Sequence, residues 1–176
     1  MTFDPREGIG PDKCITTGVH PDRIPAKYGA VIDEIIPALA SVDDDILAIY
    51  LYGSVATGMA TPPTSDLDLL AVLNEGRAAS KIRHLASELS ERHRELVREV
   101  AIATVVISDT WSDSVDGLGS RCFLKHYCAH LYGLDVRQDI KPCRATPERN
   151  SQELWNGTLI TRRPSRLDLP PPTCRS

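Results

Sequence analysis

The stretch AIYLYGSVATGMATPPTSDLDLLAV, residues 48–72, decides how this sequence is interpreted. An apolar run ends at Gly53-Ser54, a loop of small residues follows, and Asp66-Leu67-Asp68 opens a second apolar run. Short, almost wholly apolar runs rich in Ile, Leu and Tyr are typical of strands that are buried on both faces. The sequence therefore predicts two buried strands, with a glycine turn after the first and two carboxylates at the start of the second.

The two carboxylates are expected to lie side by side. Residues two apart in a strand point to the same face of the sheet, as Asp66 and Asp68 would. Two like charges this close raise one pKa unless a cation lies between them. A site made of carboxylate oxygens suits Mg²⁺, which keeps several waters and also binds substrate phosphates. Asp66 and Asp68 are therefore predicted to be metal ligands and catalytic residues; the alternative for Asp-x-Asp by itself is a solvated turn.

The Gly53-Ser54 step indicates a phosphate-binding turn. It stands at the end of the preceding strand, where backbone amides and a hydroxyl can surround phosphate oxygens. Glycine suits this position because a Cβ would hold a phosphate away from the backbone. A phosphate-binding turn beside a metal-binding carboxylate pair is an arrangement that can serve phosphoryl or nucleotidyl transfer.

Apolar periodicity predicts the other elements and an α/β (α+β) fold class. Helices are expected over residues 25–40, 77–98 and 120–131, a third strand over 99–108, and a short edge strand at 134–137. Pro37 should kink or end the first helix, and Gly133 should close the last one. The cations Lys125 and His126 fall on this last helix, either near a triphosphate or, more often for such residues, on a solvated face.

Composition divides the chain into three segments. Residues 1–24 are rich in Gly and Pro without a period and are predicted to be an N-terminal arm. Residues 25–143 are predicted to form the core domain. Residues 144–176 are predicted to be a short helix followed by a Pro/Arg-rich tail with too few apolar residues to order itself.

Net charge, apolar content and cysteine content limit the classes of partner and the cellular location that we expect. The formal charge of the 176 residues is −4, which gives no support for a nucleic-acid-binding surface. No segment approaches the ~18–20 apolar residues of a membrane span, and the N-terminus lacks the features of a signal peptide. The five cysteines are odd in number and include no C-x-x-C pair, which favours free thiols over a metal or redox site. We therefore expect a cytoplasmic protein without a membrane partner.

The opening stretch resembles the signature of the DNA polymerase β-like nucleotidyltransferase superfamily. It is most similar to a small branch with the streptomycin-type aminoglycoside adenylyltransferases and the minimal nucleotidyltransferases paired with HEPN toxins. That signature has Gly-Ser, a spacer, and Asp-x-Asp preceded by Ser, which Gly53, Ser54, Ser65, Asp66 and Asp68 match. The resemblance covers roughly residues 25–140 and includes LKHYCAHLYGLDV, residues 124–136.

The resemblance implies a fold, a reaction and further site residues. The fold is the polymerase β-like nucleotidyltransferase fold, a small mixed sheet flanked by helices. The reaction moves a nucleoside monophosphate, expected to be AMP, from an NTP to a hydroxyl with loss of pyrophosphate, with Mg²⁺ as cofactor and ATP as co-substrate. Gly53, Ser54 and Ser65 would contact the nucleotide.

Relatives also place a third carboxylate on the next strand, as metal ligand or general base. The candidate is Glu99, which opens EVAIATVV. The alternative for Glu99 is an ordinary exposed residue that ends a charged helix. In that case Asp109, at the far end of the strand, is the only other candidate for the third carboxylate.

The sequence does not decide which class of molecule accepts the nucleotide. The first expectation is a hydroxyl of a small molecule such as an aminoglycoside. The alternatives are a protein hydroxyl, modified by a toxin–antitoxin-type enzyme, or a nucleotide-binding module without turnover. Relatives of the resistance type add a helical domain after the core, whereas this sequence continues into the Pro/Arg-rich segment. This difference favours, as one outcome, an acceptor site that is completed by a homodimer or by a partner chain.

Overall fold

The structure is a computed structural model that describes residues 7–144. The strands are β1 (Gly8–Ile9), β2 (Ile15–Thr16), β3 (Ile46–Tyr52), β4 (Leu67–Leu73), β5 (Val100–Val106) and β6 (Ala129–Gly133). The α-helices are α1 (Gly29–Ala40), α2 (Gly53–Thr57), α3 (Ala79–Arg92), α4 (Ile107–Trp111) and α5 (Val115–Tyr127). Three short 3-10 turns lie at Pro21–Arg23, Ala26–Tyr28 and Val136–Asp139.

Four strands form one mixed sheet in the order β5–β4–β3–β6. β3 is antiparallel to both of its neighbours, whereas β4 and β5 are parallel. A parallel pair needs a crossover connection, and α3 supplies the crossover between β4 and β5. The expected α/β class, with a small mixed sheet flanked by helices, is confirmed.

The two central strands are buried on both faces, as the apolar runs predicted. On one face, Leu67 and Leu69 of β4 pack in a core with residues of α1 and α3. On the other face, Leu70 and Val72 pack in a second core with Leu124 of α5. Burial of each such side chain contributes about 1.5–3 kcal/mol to stability, so β3 and β4 form the rigid centre of the domain.

The helix predicted over residues 120–131 is wrong at its C-terminal end. α5 ends at Tyr127, and Ala129–Gly133 instead form the edge strand β6, where Ala129 pairs with Leu51 of β3. Short apolar patterns fit either element, and here pairing with the otherwise open edge of β3 satisfies the backbone. Gly133 has a φ of +77°, yet it ends a strand and not a helix.

The edge strand predicted at residues 134–137 is also wrong. Val136–Asp139 form a 3-10 turn, and the edge strand precedes it. The turn is capped by the Asp135 carboxylate, which accepts a hydrogen bond from the Arg137 amide at 3.2 Å. An Asp at this position therefore ends the strand because its side chain offers the backbone a local partner.

The remaining predictions differ from the structure at element ends. α1 begins at Gly29, after a 3-10 turn, and it continues through Pro37 to end at Ala40. β5 ends at Val106, and the next residues open α4. Within the described residues, no helix has the length and apolar character to cross a membrane.

The described part of the predicted arm contacts the core. The His20 amide donates to the Ala56 carbonyl at 3.3 Å, and the Ile15 amide donates to the Cys143 carbonyl at 3.1 Å. Cys14 also forms an isolated antiparallel bridge with Arg144. The three-segment division stays a prediction, and the short helix and tail beyond residue 144 lie outside the described residues.

Candidate active site

The glycine turn and the second aspartate meet at one edge of the sheet. Tyr52, the last residue of β3, pairs with Asp68 of β4, and Gly53 follows directly. Gly53 has a φ of +72°, and a Cβ added to it would lie 2.4 Å from Asp68 Oδ2. Glycine is therefore required twice, for its left-handed backbone and for the space that the Asp68 carboxylate occupies.

The two serines of the motif have different surroundings. Ser54 lies in the first turn of α2 and is half-buried, and its carbonyl accepts a hydrogen bond from the Met59 amide at 2.8 Å. The Ser65 hydroxyl accepts a hydrogen bond from the Thr61 amide at 2.9 Å and so closes the loop before β4. The contacts of Gly53, Ser54 and Ser65 with a nucleotide stay predictions.

Asp66 is paired with an arginine that the sequence analysis did not single out. The Asp66 side chain is only 7% exposed, and Arg98 Nε donates to its Oδ1 at 2.8 Å while Arg98 Nη2 donates to Oδ2. This two-point geometry is the strong form of a charge-assisted hydrogen bond. The Arg98 guanidinium therefore supplies positive charge beside the aspartates, where the sequence predicts a metal ion.

Arg98 lies within the field of all three predicted carboxylates. Its pKa is raised, first by the hydrogen bond to Asp66 and further by the charges of Asp66, Glu99 and Asp68. The only sequence signal for Arg98 is its place just before a strand that starts beside Asp66. Its contact with Asp66 can be inferred only once the pairing of β4 with β5 is known.

Glu99 lies beside the aspartates because β4 and β5 are parallel. Its carbonyl accepts a hydrogen bond from the Leu67 amide at 2.9 Å, and Ala101, two residues later, pairs with Asp68. The Glu99 side chain is exposed. Among residues 7–144, no three His, Cys, Asp or Glu side chains are placed to hold one metal ion. The role of Glu99 as ligand or base stays a prediction.

Asp109, the other candidate for the third carboxylate, lies away from the aspartates. Asp109 is in α4, beyond the opposite end of β5 from Glu99, and lines a cavity of about 350 Å³ together with Asp116. It is therefore separated from Asp66 and Asp68 by the length of β5.

Aromatic rings extend from the edge that carries the motif. The Tyr52 ring meets Phe123 of α5 edge to face, with centroids 5.2 Å apart, and Phe123 stacks on Tyr127 at 5.9 Å. Tyr52 and Asp68 are cross-strand partners, so this row of rings begins next to the Asp68 carboxylate. Spacing of four residues places Phe123 and Tyr127 on one face of α5, which periodicity alone could have indicated.

The Lys125 and His126 side chains on α5 are engaged away from this edge. Lys125 Nζ donates to the Arg137 carbonyl at 2.8 Å. His126 Nε2 accepts a hydrogen bond from the Cys143 amide at 2.8 Å. Both side chains therefore bind the segment that follows β6.

The donor chemistry of Asp66 and Asp68 fits Mg²⁺. Two neighbouring carboxylates offer hard oxygen ligands, and such an ion takes its remaining ligands from water and phosphate. Both oxygens of Asp66 are held by Arg98, however. An ion that binds Asp66 would therefore compete with the guanidinium for this carboxylate.

Comparison with known proteins matches the part of the chain that carries this site to one family. Residues 33–110 match the family described as "Polymerase beta, Nucleotidyltransferase". That span contains Gly53, Ser54, Asp66, Asp68 and Glu99. No curated protein matches the chain.

Solved structures with some similarity share low identity with this chain. The toxin–antitoxin complex MntA–HepT is 19% identical over 63% of this chain and 75% of the other, with a TM-score of 0.39. The complex of tri-AMPylated Shewanella oneidensis HEPN toxin with MNT antitoxin is 16% identical, over 64% and 77%, with a TM-score of 0.40. The spectinomycin adenyltransferase of Enterococcus faecialis with ATP and spectinomycin is 13% identical, over 68% and 60%, with a TM-score of 0.46.

Proposed function

We propose that the chain transfers AMP from ATP to a hydroxyl group, with release of pyrophosphate, because residues 33–110 match the polymerase β nucleotidyltransferase family. The observation that carries the proposal is the contact between the Asp68 carboxylate and the Gly53 backbone. This contact supports the proposal because it brings together the turn that we propose binds phosphate and a carboxylate that we propose binds the metal, as transfer of a phosphate-containing group requires.

Each residue of the edge then has a role. The turn at Gly53-Ser54 binds the triphosphate through backbone amides and the Ser54 hydroxyl, and Ser65 keeps the loop in place beside it. Asp66 and Asp68 would hold Mg²⁺, which when bound supplies positive charge to the reacting phosphate and the leaving pyrophosphate. Arg98 would compete with the ion for Asp66, so its hydrogen bonds to Asp66 would weaken when Mg²⁺ binds.

Glu99 is the proposed general base. It is exposed at the start of β5, beside Asp66, so an acceptor hydroxyl can approach it from solvent. Removal of the hydroxyl proton as the oxygen attacks the α-phosphorus gives general-base help of ~10²–10⁴-fold. The exposure of Glu99, together with its absence from any three-residue metal cluster within the described part of the chain, favours the base over the ligand role.

The acceptor is proposed to be either a small-molecule hydroxyl, as in an aminoglycoside, or a protein hydroxyl. Both fit a site whose base faces solvent. Either a second copy of the chain or a partner chain would complete the acceptor site.

The test is incubation of the full chain with α-labelled ATP and Mg²⁺, with an aminoglycoside panel in one arm and cell lysate in the other. We expect labelled product in one arm and pyrophosphate release. Asp68→Asn should abolish both while the variant stays folded, since the amide keeps the shape of the side chain. Asp109→Asn, a matched change at the far end of β5, should retain activity. Product formed by Asp68→Asn at the wild-type rate would contradict the proposal, and ATP binding without transfer in either arm would favour a module without turnover.

A further inference from the structure

Two thiols outside the nucleotidyltransferase edge lie near each other. Cys122 lies on α5, one turn before His126, so both side chains are on the same face of the helix. Cys143 lies on the segment after the last 3-10 turn, and its amide bonds to His126 Nε2 at 2.8 Å, which brings its side chain to the face of α5 that carries Cys122. Neither cysteine is in a disulfide. The two sulfurs are thus neighbours although the residues are far apart along the chain.

The backbone holds Cys143 in this position from both sides. Its amide donates to His126 Nε2 at 2.8 Å, and its carbonyl accepts from the Ile15 amide at 3.1 Å. Beside these bonds, the Thr17 hydroxyl donates to the His126 carbonyl. The position of Cys143 is therefore fixed by α5 on one side and by Ile15 of β2 on the other.

The surroundings give the two thiols unequal reactivity. The hydrogen bond that Cys122 donates lowers the pKa of Cys143, and the charge of Arg121 acts in the same direction. The pKa of Cys122 is raised, first by that hydrogen bond and then by burial. Cys122 is only 6% exposed, whereas Cys143 is half-buried and reachable by solvent. A partly exposed thiolate beside a buried thiol is the arrangement of an attacking and a resolving cysteine.

We propose that Cys143 and Cys122 form a thiol–disulfide exchange site for low-molecular-weight disulfides. The Cys143 thiolate attacks a disulfide RSSR, so that a Cys143–SR bond forms, the S–S bond breaks and RS⁻ leaves. The Cys122 sulfur then attacks Cys143, its proton passes to solvent or to the departing thiolate, and the second RS⁻ leaves. The protein thiols are oxidised by two electrons and RSSR is reduced to two thiols.

The other described cysteines provide matched controls. Cys128 is fully buried, and burial raises the pKa of its thiol. Cys14 lies near the same segment, bridged to Arg144, but the pKa of its thiol is raised by a hydrogen bond to Asp12. Neither residue has a thiol partner among the described residues, so neither should replace Cys143.

The test uses the reduced full chain exposed to oxidised glutathione, followed by peptide mass spectrometry without reductant. We expect one intramolecular link, between Cys122 and Cys143, in the wild type and in Cys14→Ser, Cys128→Ser and Cys174→Ser. Cys122→Ser should stop at a glutathione adduct on Cys143. Cys143→Ser should lower glutathione incorporation at Cys122 at least tenfold. Oxidation of the wild type should raise Tm by about 5–10 °C, as closure of a loop of this length predicts.

Three outcomes would overturn the inference. They are a link from Cys143 to Cys14 or Cys174 in place of Cys122, preferential adduct formation at Cys14, or no adduct on Cys143 in the Cys122→Ser variant. Because Cys122 is buried, Cys122→Ala is made alongside Cys122→Ser, and circular dichroism selects the variant that folds. The readout contains no nucleotide, so its result is independent of the proposed transfer activity.

Discussion

At the residue scale, the contact between Gly53 and Asp68 can be tested as a pair. Gly53→Ala should destabilise the protein by about 1–2 kcal/mol for its left-handed backbone, and by more because the new methyl displaces the Asp68 carboxylate. In the Asp68→Ala background only the backbone cost remains, since the carboxylate is gone. Urea unfolding of the two single variants and the double variant measures the coupling. A coupling of zero would show that Asp68 does not pack on Gly53.

Arg98 makes the second residue-scale prediction. Arg98→Gln removes the guanidinium from Asp66, so the buried carboxylate loses its partner, and the protein without metal should be less stable. The same change frees Asp66 for a cation, so Mn²⁺ used as a probe should bind several-fold more tightly. Isothermal titration calorimetry and thermal unfolding measure the two effects.

Arg94→Gln is the matched control for Arg98→Gln. Arg94 is in the same charged segment but pairs with Glu91, away from the aspartates. It should change neither Mn²⁺ affinity nor stability appreciably, as is usual for exposed pairs. Equal Mn²⁺ affinity in wild type and Arg98→Gln would show that the guanidinium does not compete for Asp66.

These residues also show what a sequence can reveal. Gly53, Asp66 and Asp68 were recognisable because the turn and the carboxylates each follow a local rule of backbone or charge. Arg98 was not, because its partner is 32 residues away and only the register of two parallel strands brings them together. The same register brings the start of β5, and with it the backbone of Glu99, beside Asp66.

At the element scale, the end of the sheet at β6 depends on an ionic cluster. Asp135 receives two hydrogen bonds from the Arg137 guanidinium, at 2.7 and 2.8 Å, and it also contacts the Tyr50 hydroxyl at 3.3 Å. The hydrogen bond from Arg137 lowers the pKa of Asp135 to about 2. The cluster thereby fastens the turn after β6 to the central strand β3.

This cluster predicts a pH dependence. Because the pKa of Asp135 is lower in the folded protein than its ordinary value of 3.8, its stabilisation is present above about pH 4. It is lost as the pH falls toward 2. Asp135→Asn should cost about 2 kcal/mol at pH 7, and its difference from wild type should shrink toward zero near pH 2. Urea unfolding across this range measures the difference, and a gap that stays constant with pH would rule out the ionised carboxylate as the cause.

The elements themselves were predictable to different degrees. β3 and β4 are recognisable as apolar runs because a strand buried on both faces can carry almost nothing else. β5 is an edge strand and mostly half-buried, and it is recognisable by its β-branched residues. The segment 129–133 carries both apolar and polar residues, and such a pattern fits a helix or an edge strand equally. Only the free edge of β3 decides between them, which is a tertiary property.

At the scale of the whole molecule, nucleotide and metal should stabilise the fold together. A ligand that binds only the native state stabilises it by about 2.7 kcal/mol at a hundredfold excess over Kd. Because Asp66 and Asp68 repel each other and the triphosphate, Mg²⁺ with ATP should raise Tm more than either alone. Differential scanning fluorimetry with and without chelator measures this, and Asp68→Asn should lose the joint effect. An equal rise in the presence of chelator would contradict the metal role.

The bridge between Cys14 and Arg144 bears on the order in which the protein assembles. It joins residues about 130 positions apart, so it closes a very long loop whose entropy must be lost before the contact stabilises anything. The β1–β2 hairpin should therefore dock last during folding and detach first during fluctuations of the native state. In hydrogen exchange, the amide of Ile15 should exchange well before that of Leu51 in the central strand, which opens only with the whole domain. We therefore expect the two ends of the described chain to separate from each other while the four-stranded sheet stays folded.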